Sequence, residues 1–340
     1  MLIRSAAALA AVTLSASLAA CGAKQDLVTS APMRTVTLML DFPANADHLG
    51  IYTAELKDEF KQVGIDLQIK TPQTPSEPLT ALTAGKADLA ISYEPELLIA
   101  RDKGASIMSV GAIVQRPLTS LISTDDKSVD PRKLEGAKIG TAGIPYQDAF
   151  LDQLLSSAGV DTSSIKRSDV GFKLVSSMTS GRVDATLGGY WNIEAVELRL
   201  RNKHPRVMPV DRAGIPPYDE LVLVARNDTV SRDGAMIRRF IGALMRGTEA
   251  AKADPAIAVR ALRAAAPKLN KRFAAASVKA TLPVLFPSAR KPFGWQDQRQ
   301  WQSFADWMTR NELLKAPADT AQALTNEFLP GEGLGSESSP

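Results

Sequence analysis

Two similar stretches of sequence decide the fold: Leu79-Thr80-Ala81-Leu82-Thr83-Ala84-Gly85-Lys86-Ala87-Asp88-Leu89-Ala90-Ile91 and Val175-Ser176-Ser177-Met178-Thr179-Ser180-Gly181-Arg182-Val183-Asp184-Ala185-Thr186-Leu187. Each stretch predicts a short helix, a glycine that ends the helix in the left-handed conformation, and a strand that begins at once. The second stretch starts 96 residues after the first, at position 175 against position 79. We therefore expect two lobes with the same order of helices and strands.

The segments around these stretches complete each lobe. Residues 36–40 form an apolar run, residues 49–63 carry apolar side chains at helical spacing, and residues 65–69 alternate between apolar and polar side chains. A strand, a helix and a strand in this order favour a parallel sheet. The second lobe opens in the same way, with a strand at 137–140 and a helix at 146–158.

The whole pattern predicts an α/β fold with a mixed, mainly parallel sheet in each of two lobes and a helical C-terminal part. The chain is expected to cross between the lobes at 118–123 and at 221–225, and two crossings make a hinge. The predicted segments are a signal peptide at 1–20, a lipidated linker at 21–33, a first lobe at 34–123 and 222–300, a second lobe at 124–221, C-terminal helices at 301–330 and a disordered tail at 331–340.

The start of the chain carries a targeting signal. Arg4 supplies a positive charge, residues 5–20 are almost all small or apolar, and Leu18-Ala19-Ala20-Cys21-Gly22 has the form of a lipobox. The apolar run is too short to span a bilayer. The sequence therefore predicts an exported protein that faces the periplasm or the cell exterior and is held to the membrane by lipid on Cys21. The alternative is an ordinary signal peptide with an incidental cysteine.

Composition and motifs argue against several classes of function. The formal net charge is only +3 and no dense basic block is present, so nothing indicates nucleic acid. Cys21 is the only cysteine, and the two histidines, His48 and His204, lie 156 positions apart, so no disulfide and no metal site is predicted. The GxSxG, GxxxxGK[ST] and HExxH motifs are absent. We therefore expect no catalytic residue, no cofactor and no metal.

Candidate binding residues follow the strands, because ligands of open parallel sheets sit beyond the carboxyl ends of the strands. The four segments in such positions are 41–48, 92–96, 140–145 and 189–194. Stacking on a flat ring is expected of Phe42, Tyr93, Tyr190 and Trp191, hydrogen bonding to its polar edge is expected of Asp41, Asn45, Glu94 and Asn192, and His48 and Gly143 are further candidates. Ordinary core packing is the alternative for Tyr190 and Trp191, and an exposed position at the start of a helix is the alternative for His48.

These residues resemble a known family, the substrate-binding proteins of thiamin-pyrimidine ABC importers, which share a fold with the yeast pyrimidine-precursor synthases. The likeness covers about 36–241 and is carried by Leu40-Asp41-Phe42-Pro43-Ala44-Asn45-Ala46-Asp47-His48-Leu49-Gly50-Ile51-Tyr52, Gly85-Lys86-Ala87-Asp88, Ser92-Tyr93-Glu94-Pro95-Glu96 and Gly189-Tyr190-Trp191-Asn192-Ile193-Glu194. This chain has Phe42 where the family usually has Trp, and Asp47 where it usually has Asn.

The resemblance implies a type II periplasmic binding protein, a monomer that captures formylaminopyrimidine or hydroxymethylpyrimidine and passes it to an ABC permease. By the same resemblance, the pocket residues are Asn45, His48, Tyr93, Tyr190, Trp191 and Glu194. If Trp191 stacks on the ring, its replacement by Ala is expected to weaken binding by ~1 to 3 kcal/mol.

Three alternatives stay open at this point. The ligand is another flat heterocycle, such as riboflavin or thiamin, or the protein is a lipoprotein that uses the same lobes as a sensor or adaptor. The third is an enzyme like the synthases, which consume one of their own histidines with iron. That branch relies on a cysteine-rich motif, and this chain has only Cys21.

Overall fold

The computed structural model describes residues 32–124, 127–286 and 291–331. The predicted signal peptide, Cys21 and residues 332–340 of the predicted tail lie outside the described residues. In the ranges that are described, no helix has both the length and the apolar character needed to cross a membrane.

The first lobe is built on a five-stranded sheet whose strand order is β2-β1-β3-β10-β4. Its strands are β1 (Arg34–Met39), β2 (Ile65–Lys70), β3 (Leu89–Ser92), β4 (Ile107–Val114) and β10 (Leu221–Arg226). Its helices before the first crossing are α1 (Leu49–Leu56), α2 (Glu59–Gln62), α3 (Glu77–Thr83) and α4 (Glu94–Asp102). Strand β1 runs parallel to both β2 and β3, whereas β10 runs antiparallel to β3 and β4.

The second lobe repeats this arrangement in the order β7-β6-β8-β5-β9. Its strands are β5 (Thr119–Ser123), β6 (Lys138–Thr141), β7 (Lys166–Asp169), β8 (Ala185–Tyr190) and β9 (Arg206–Pro209), and its helices are α5 (Pro145–Ser157), α6 (Leu174–Thr179) and α7 (Glu194–Leu200). Strand β6 is parallel to β7 and β8, and β5 is antiparallel to β8 and β9. The predicted α/β fold with one mixed sheet in each lobe is confirmed.

The repeated stretches have the same local structure in both lobes. Gly85 and Gly181 each end a helix with φ at 71°, the left-handed conformation that glycine adopts without steric cost. Three residues later, the Asp88 carboxylate accepts a hydrogen bond from Thr37 N at 2.8 Å, and the Asp184 carboxylate accepts one from Lys138 N at 2.9 Å. The two aspartates therefore anchor equivalent strands, β1 in the first lobe and β6 in the second.

The lobe boundary differs from the prediction. Residues 119–123 were assigned to the first lobe, but they form β5, which pairs with β8 and β9 of the second sheet. The crossings are therefore at 115–118 and 210–220. A crossing strand enters the antiparallel part of the other sheet, and its local apolar pattern does not show which sheet it joins.

The chain after β10 is helical, with α8 (Asn227–Ala253), α9 (Pro255–Ala265), α10 (Lys271–Thr281) and α11 (Gln298–Arg310). Of the helices predicted up to residue 330, only a 3-10 turn at Thr320–Gln322 follows α11 in the described residues. There the backbone pairs with β4 instead, because Ser109 N donates to Ala323 O and Thr325 N donates to Ser109 O, at 2.8 and 2.9 Å. An edge strand with free amides and carbonyls is stabilised by such a cover.

The helix predicted at 49–63 is also interrupted, between α1 and α2. Asp58 has φ at 56°, a left-handed conformation that breaks the helical hydrogen-bond ladder.

The apolar core continues from one lobe into the other. Phe150 on α5 contacts Phe304 and Trp307 on α11, with ring centroids 6.4 and 5.9 Å apart.

Candidate functional site

A narrow cavity lies between the lobes, where strand ends from both sheets meet. The first lobe contributes Phe42, Asn45 and Tyr93, and the second contributes Ile144, Gln147, Gly188, Tyr190, Ile193 and Glu194. Five of these side chains, Phe42, Asn45, Tyr93, Tyr190 and Glu194, are among the eleven predicted binding residues. The cavity volume is about 20 Å³, room for about one water molecule. The lobes are therefore closed on each other in this structure.

Aromatic contacts hold the closed lobes together beside this cavity. The rings of Phe42 and Phe172 meet edge to face across the lobes, with centroids 4.5 Å apart. The rings of Tyr93 and Tyr146 form a second contact between the lobes, with centroids 5.7 Å apart. Such edge-to-face pairs are each worth about 0.5 to 1.5 kcal/mol beyond the area that they bury.

Asp41 and His48 stand behind Tyr93 rather than in the cavity lining. Tyr93 donates its hydroxyl to Asp41 Oδ2 at 2.9 Å, and His48 Nε2 lies 2.8 Å from Asp41 Oδ1. Asn45 N donates to His48 Nδ1 at 3.3 Å, so the ring proton is on Nε2 and points to the carboxylate. Burial and the nearby Asp41 raise the pKa of Tyr93 well above its ordinary value, so the hydroxyl keeps its proton. The two predicted residues thus position the Tyr93 ring.

Asn192, another predicted residue, joins the lobes. Its Nδ2 donates to Asp47 Oδ1 at 2.6 Å and to Thr281 Oγ1 at 2.8 Å, and all three side chains are buried. Burial raises the pKa of Asp47 well above its ordinary value, and the carboxylates of Asp41 and Glu194 raise it further, against the hydrogen bond from Asn192 that lowers it. Asp47, the position where the family usually has Asn, therefore belongs to an interlobe contact.

Glu194 and Gln147 supply polar groups to the cavity. Glu194 Oε2 accepts a hydrogen bond from Tyr190 N at 2.6 Å, and burial raises the pKa of this carboxyl to about 7. Gln147 Oε1 accepts from Ala142 N at 2.8 Å, which fixes the amide. A Cβ added to Gly188, whose φ is 106°, would lie 2.5 Å from Gln147 Nε2. Glycine is therefore needed there to let the amide reach the cavity.

Two further predicted residues contact other parts of the molecule. Trp191 packs on the first crossing, where its Nε1 donates to Pro117 O at 3.4 Å and the guanidinium of Arg116 lies 5.9 Å from its ring centroid. Gly143 lies against the carboxylate of Asp169. Neither is among the cavity-lining residues.

Glu94 is buried inside the first lobe rather than at the cavity. Its Oε2 accepts from Asp219 N at 2.7 Å, and Trp301 Nε1 donates to Asp219 Oδ2 at 2.7 Å. Burial, followed by the Asp219 carboxylate, raises the pKa of Glu94 well above its ordinary value. This carboxyl therefore stabilises the second crossing and α11.

Two lining residues, Gln147 and Gly188, lie outside the predicted segments. Ile144 and Ile193 also line the cavity, and they lie inside the predicted segments 140–145 and 189–194 without having been named as binding residues. Gln147 lies in the first turn of α5, directly after the predicted segment 140–145, so a wider window at the helix start would have included it.

Larger cavities lie elsewhere, a groove of about 710 Å³ between α9 and α10 and a cavity of about 430 Å³ beside α7. Neither of these is lined by a predicted residue. Within the described ranges, no group of three or more histidine, cysteine or carboxylate side chains is placed to hold a metal ion.

Two lobes with matching mixed sheets, two crossings and a cavity at the facing strand ends define a two-lobed protein of the periplasmic binding protein class. The alkanesulfonate-binding protein of Xanthomonas axonopodis pv. citri has this fold, with a TM-score of 0.69 at 17% identity over 87% of this chain and 99% of that chain. The chain belongs to the NMT1/THI5-like family, which matches residues 45–258.

Two relatives show the range of this family. The chain is 31% identical to a formylaminopyrimidine-binding protein of Halalkalibacterium halodurans, over 86% of this chain and 90% of the relative. It is 22% identical to a 4-amino-5-hydroxymethyl-2-methylpyrimidine phosphate synthase of Saccharomyces cerevisiae, over 86% of this chain and 87% of the relative.

Proposed function

We propose that this protein captures a thiamin-precursor pyrimidine between its lobes and delivers it to the permease of an ABC importer. The observation that carries the proposal is the cavity to which strand ends of both lobes contribute aromatic and hydrogen-bonding side chains. The 31% identity to a formylaminopyrimidine-binding protein supports the choice of ligand. No step of this function requires chemistry on the ligand, so we infer a binding protein rather than an enzyme.

The lining suits a flat, polar heterocycle. Phe42, Tyr93 and Tyr190 offer ring faces and edges to a heteroaromatic ring. The stabilisation gained by such aromatic contact depends little on the substituents of the ring. Glu194 and Gln147 offer hydrogen bonds that do depend on the substituents. A carboxyl with a pKa of about 7 serves as donor when neutral and as acceptor in either form, which matches an aminopyrimidine edge with one ring nitrogen and one amino group.

Ligand entry requires the lobes to separate, because the closed cavity holds only about 20 Å³. The two crossings are bound to each other by Glu220, whose carboxylate accepts from Leu118 N at 2.6 Å and from Thr119 N and Thr119 Oγ1 at 2.8 Å. A hinge that is rigid in this way favours rotation of whole lobes over local distortion. Closure then buries the polar edge of the ligand, and a wrong ring leaves buried groups unpaired.

Export and membrane attachment are part of the proposal. The apolar run at 5–20 and the motif around Cys21 support a signal peptide and a lipid on the Cys21 thiol, with the mature protein a monomer that faces the periplasm or the cell exterior. Metabolic labelling with tritiated palmitate tests the anchor. Label is expected on the exported chain and is expected to be lost in Cys21→Ser.

Fresh protein analysed by native mass spectrometry, followed by calorimetric titration, tests the ligand. We expect heat with formylaminopyrimidine or hydroxymethylpyrimidine at micromolar protein, and weaker or no heat with thiamin and riboflavin. Tight binding of riboflavin or thiamin alone would reassign the ligand within the same cleft. Flat titrations with all four compounds would refute the assignment.

A further inference from the structure

The distribution of charge along the chain is uneven in one segment. Residues 255–296 contain eight Lys and Arg and no Asp or Glu, and the other 298 of the 340 residues hold 32 basic and 37 acidic side chains, a formal charge of −5. The basic segment comprises α9, α10 and the chain that leads to α11. A cluster of positive charges on an otherwise slightly acidic protein creates a local electrostatic field that attracts acidic groups.

A groove runs between the two helices of this segment. It has a volume of about 710 Å³, an apolar floor formed by Pro255, Ala256, Val259, Ala275, Val278, Leu282 and Pro283, and a basic rim formed by Arg260, Arg263, Lys271 and Lys279. No carboxylate lines it. On the rim, Lys271 and Lys279 form no ion pair with any residue that the structure describes, and Arg260 has only a long contact of 3.8 Å to Asp254. The charges of Lys271 and Lys279 are therefore not neutralised by a carboxylate of the described residues, and Arg263 Nε donates to Leu269 O at 3.3 Å.

The shape of the groove distinguishes between a membrane and a protein partner. Insertion into a bilayer needs apolar side chains that protrude. The large apolar side chains that are most exposed in the described residues are Met33, Leu56 and Leu200, and none of them lies in the groove. The exposed floor residues Pro255, Ala256, Ala275 and Pro283 have small side chains, and Val278 is buried beneath them. A recessed apolar floor fits a convex apolar ridge, which is what one face of an amphipathic helix presents.

The groove is also connected to the contact between the lobes. Helix α10 ends at Thr281, whose hydroxyl accepts a hydrogen bond from Asn192 of the second lobe at 2.8 Å. Helix α10 further contacts α7 of that lobe. A partner bound in the groove would therefore contact α10, the helix that is itself in contact with the second lobe.

We propose that the groove between α9 and α10 docks an amphipathic helix of a partner protein, a helix whose apolar ridge is flanked by Asp and Glu. The apolar ridge fills the floor, and the flanking carboxylates pair with Lys271 and Lys279. This surface is separate from the interlobe cavity, so the proposal holds or fails independently of the ligand.

The test uses a fluorescein-labelled peptide of about four helical turns, with Leu on one face and Glu on both flanks, titrated with the protein by fluorescence anisotropy. A matched peptide carries Lys in place of Glu. We expect the acidic peptide to bind about tenfold tighter than the basic one, and its affinity to fall at least as much between about 0.1 M and about 1 M salt. The double variant K271E/K279E is expected to lose this binding.

The control variant K133E/K166E makes the same charge change on exposed sites of the second lobe and is expected to bind the acidic peptide as the wild type does. Equal affinity for both peptides, or unchanged affinity in K271E/K279E, overturns the proposal. A third result also overturns the proposal: the acidic peptide fails to bind, but the unlipidated chain cosediments with phosphatidylglycerol vesicles and K271E/K279E does not. That result assigns the groove to a lipid surface.

Discussion

Asn192 Nδ2 lies 2.6 Å from Asp47 Oδ1, although the two residues are 145 positions apart in the sequence. This hydrogen bond joins the second lobe to the first, and Thr281 extends it into α10 at 2.8 Å. The other two polar atoms of these side chains, Asp47 Oδ2 and Asn192 Oδ1, are buried and have no hydrogen-bond partner among the described residues. Burial of a carboxylate oxygen without a hydrogen-bond partner favours a neutral Asp47, in line with its raised pKa.

Removal of this contact should weaken the closed form. Asn192→Ala leaves Asp47 and Thr281 buried without their donor, at a cost of about 1 to 3 kcal/mol that falls on the closed arrangement. Because ligand binding requires closure, calorimetry should show formylaminopyrimidine binding weaker by a similar amount. Gln68→Ala, on the exposed face of β2, is the matched control and should bind as the wild type does. An unchanged dissociation constant in Asn192→Ala would remove the contact from the binding mechanism.

Gln147 should determine which ring edge is accepted. Gln147→Leu keeps the size of the side chain but removes the amide that faces the cavity, so we expect about tenfold to hundredfold weaker binding of the preferred pyrimidine. Gln153→Leu on the same helix is the control, since Gln153 hydrogen-bonds Ser157 instead. Equal losses in both variants, or none in either, would show that the Gln147 amide does not contact the ligand.

Neighbouring aromatic residues provide a second discriminating pair. Tyr190 lines the cavity, whereas Trp191 packs on the crossing at Pro117. Tyr190→Ala should weaken binding by about 1 to 3 kcal/mol, as expected for a ring that stacks on a heterocycle. Trp191→Ala should have a smaller effect, contrary to the expectation from sequence. The reverse order of the two losses, measured by calorimetry on folded variants, would return the stacking role to Trp191.

Stability should fall as pH rises through neutrality. Burial raises the pKa of Glu96, Glu194 and Asp219 to about 7, from ordinary values of 4.5, 4.5 and 3.8. The folded chain therefore holds more protons than the unfolded chain in this interval. The stabilisation is complete below the ordinary values and is lost as pH rises through about 7, at up to about 1.4 kcal/mol per pH unit for each group.

Urea denaturation from about pH 5 to about pH 8 measures this slope. Glu194→Gln removes one of the three groups and should flatten the slope, whereas Glu135→Gln on the exposed surface should leave it unchanged. A free energy of unfolding that is constant or rises over this interval would contradict the assigned pKa shifts.

The sequence predicted what depends on local pattern. Periodicity and turn chemistry predicted the glycines that end helices, Gly85 and Gly181, and the strand ends that carry Phe42 and Tyr190. The direction in which a side chain points at the end of a strand does not follow from local pattern. Tyr190 and Trp191 are adjacent and chemically alike, yet one faces the cavity and the other faces the crossing.

The sequence also did not show which residues far apart along the chain contact each other. The pairing of Asp47 with Asn192 depends on how the lobes close, and the β4 edge that straightens residues 323–325 is distant in sequence. Position 47 was noticed as a departure from the family, but only the folded lobes show that its carboxyl contacts the other lobe rather than the ligand.

Capture of a pyrimidine between the lobes is tested most directly by a crystal structure of the protein grown with formylaminopyrimidine. We expect one pyrimidine ring between the lobes, in contact with Tyr190 and within hydrogen-bond distance of Glu194 and the Gln147 amide. A ring bound on an outer surface, in the groove between α9 and α10, or against a single lobe would contradict it.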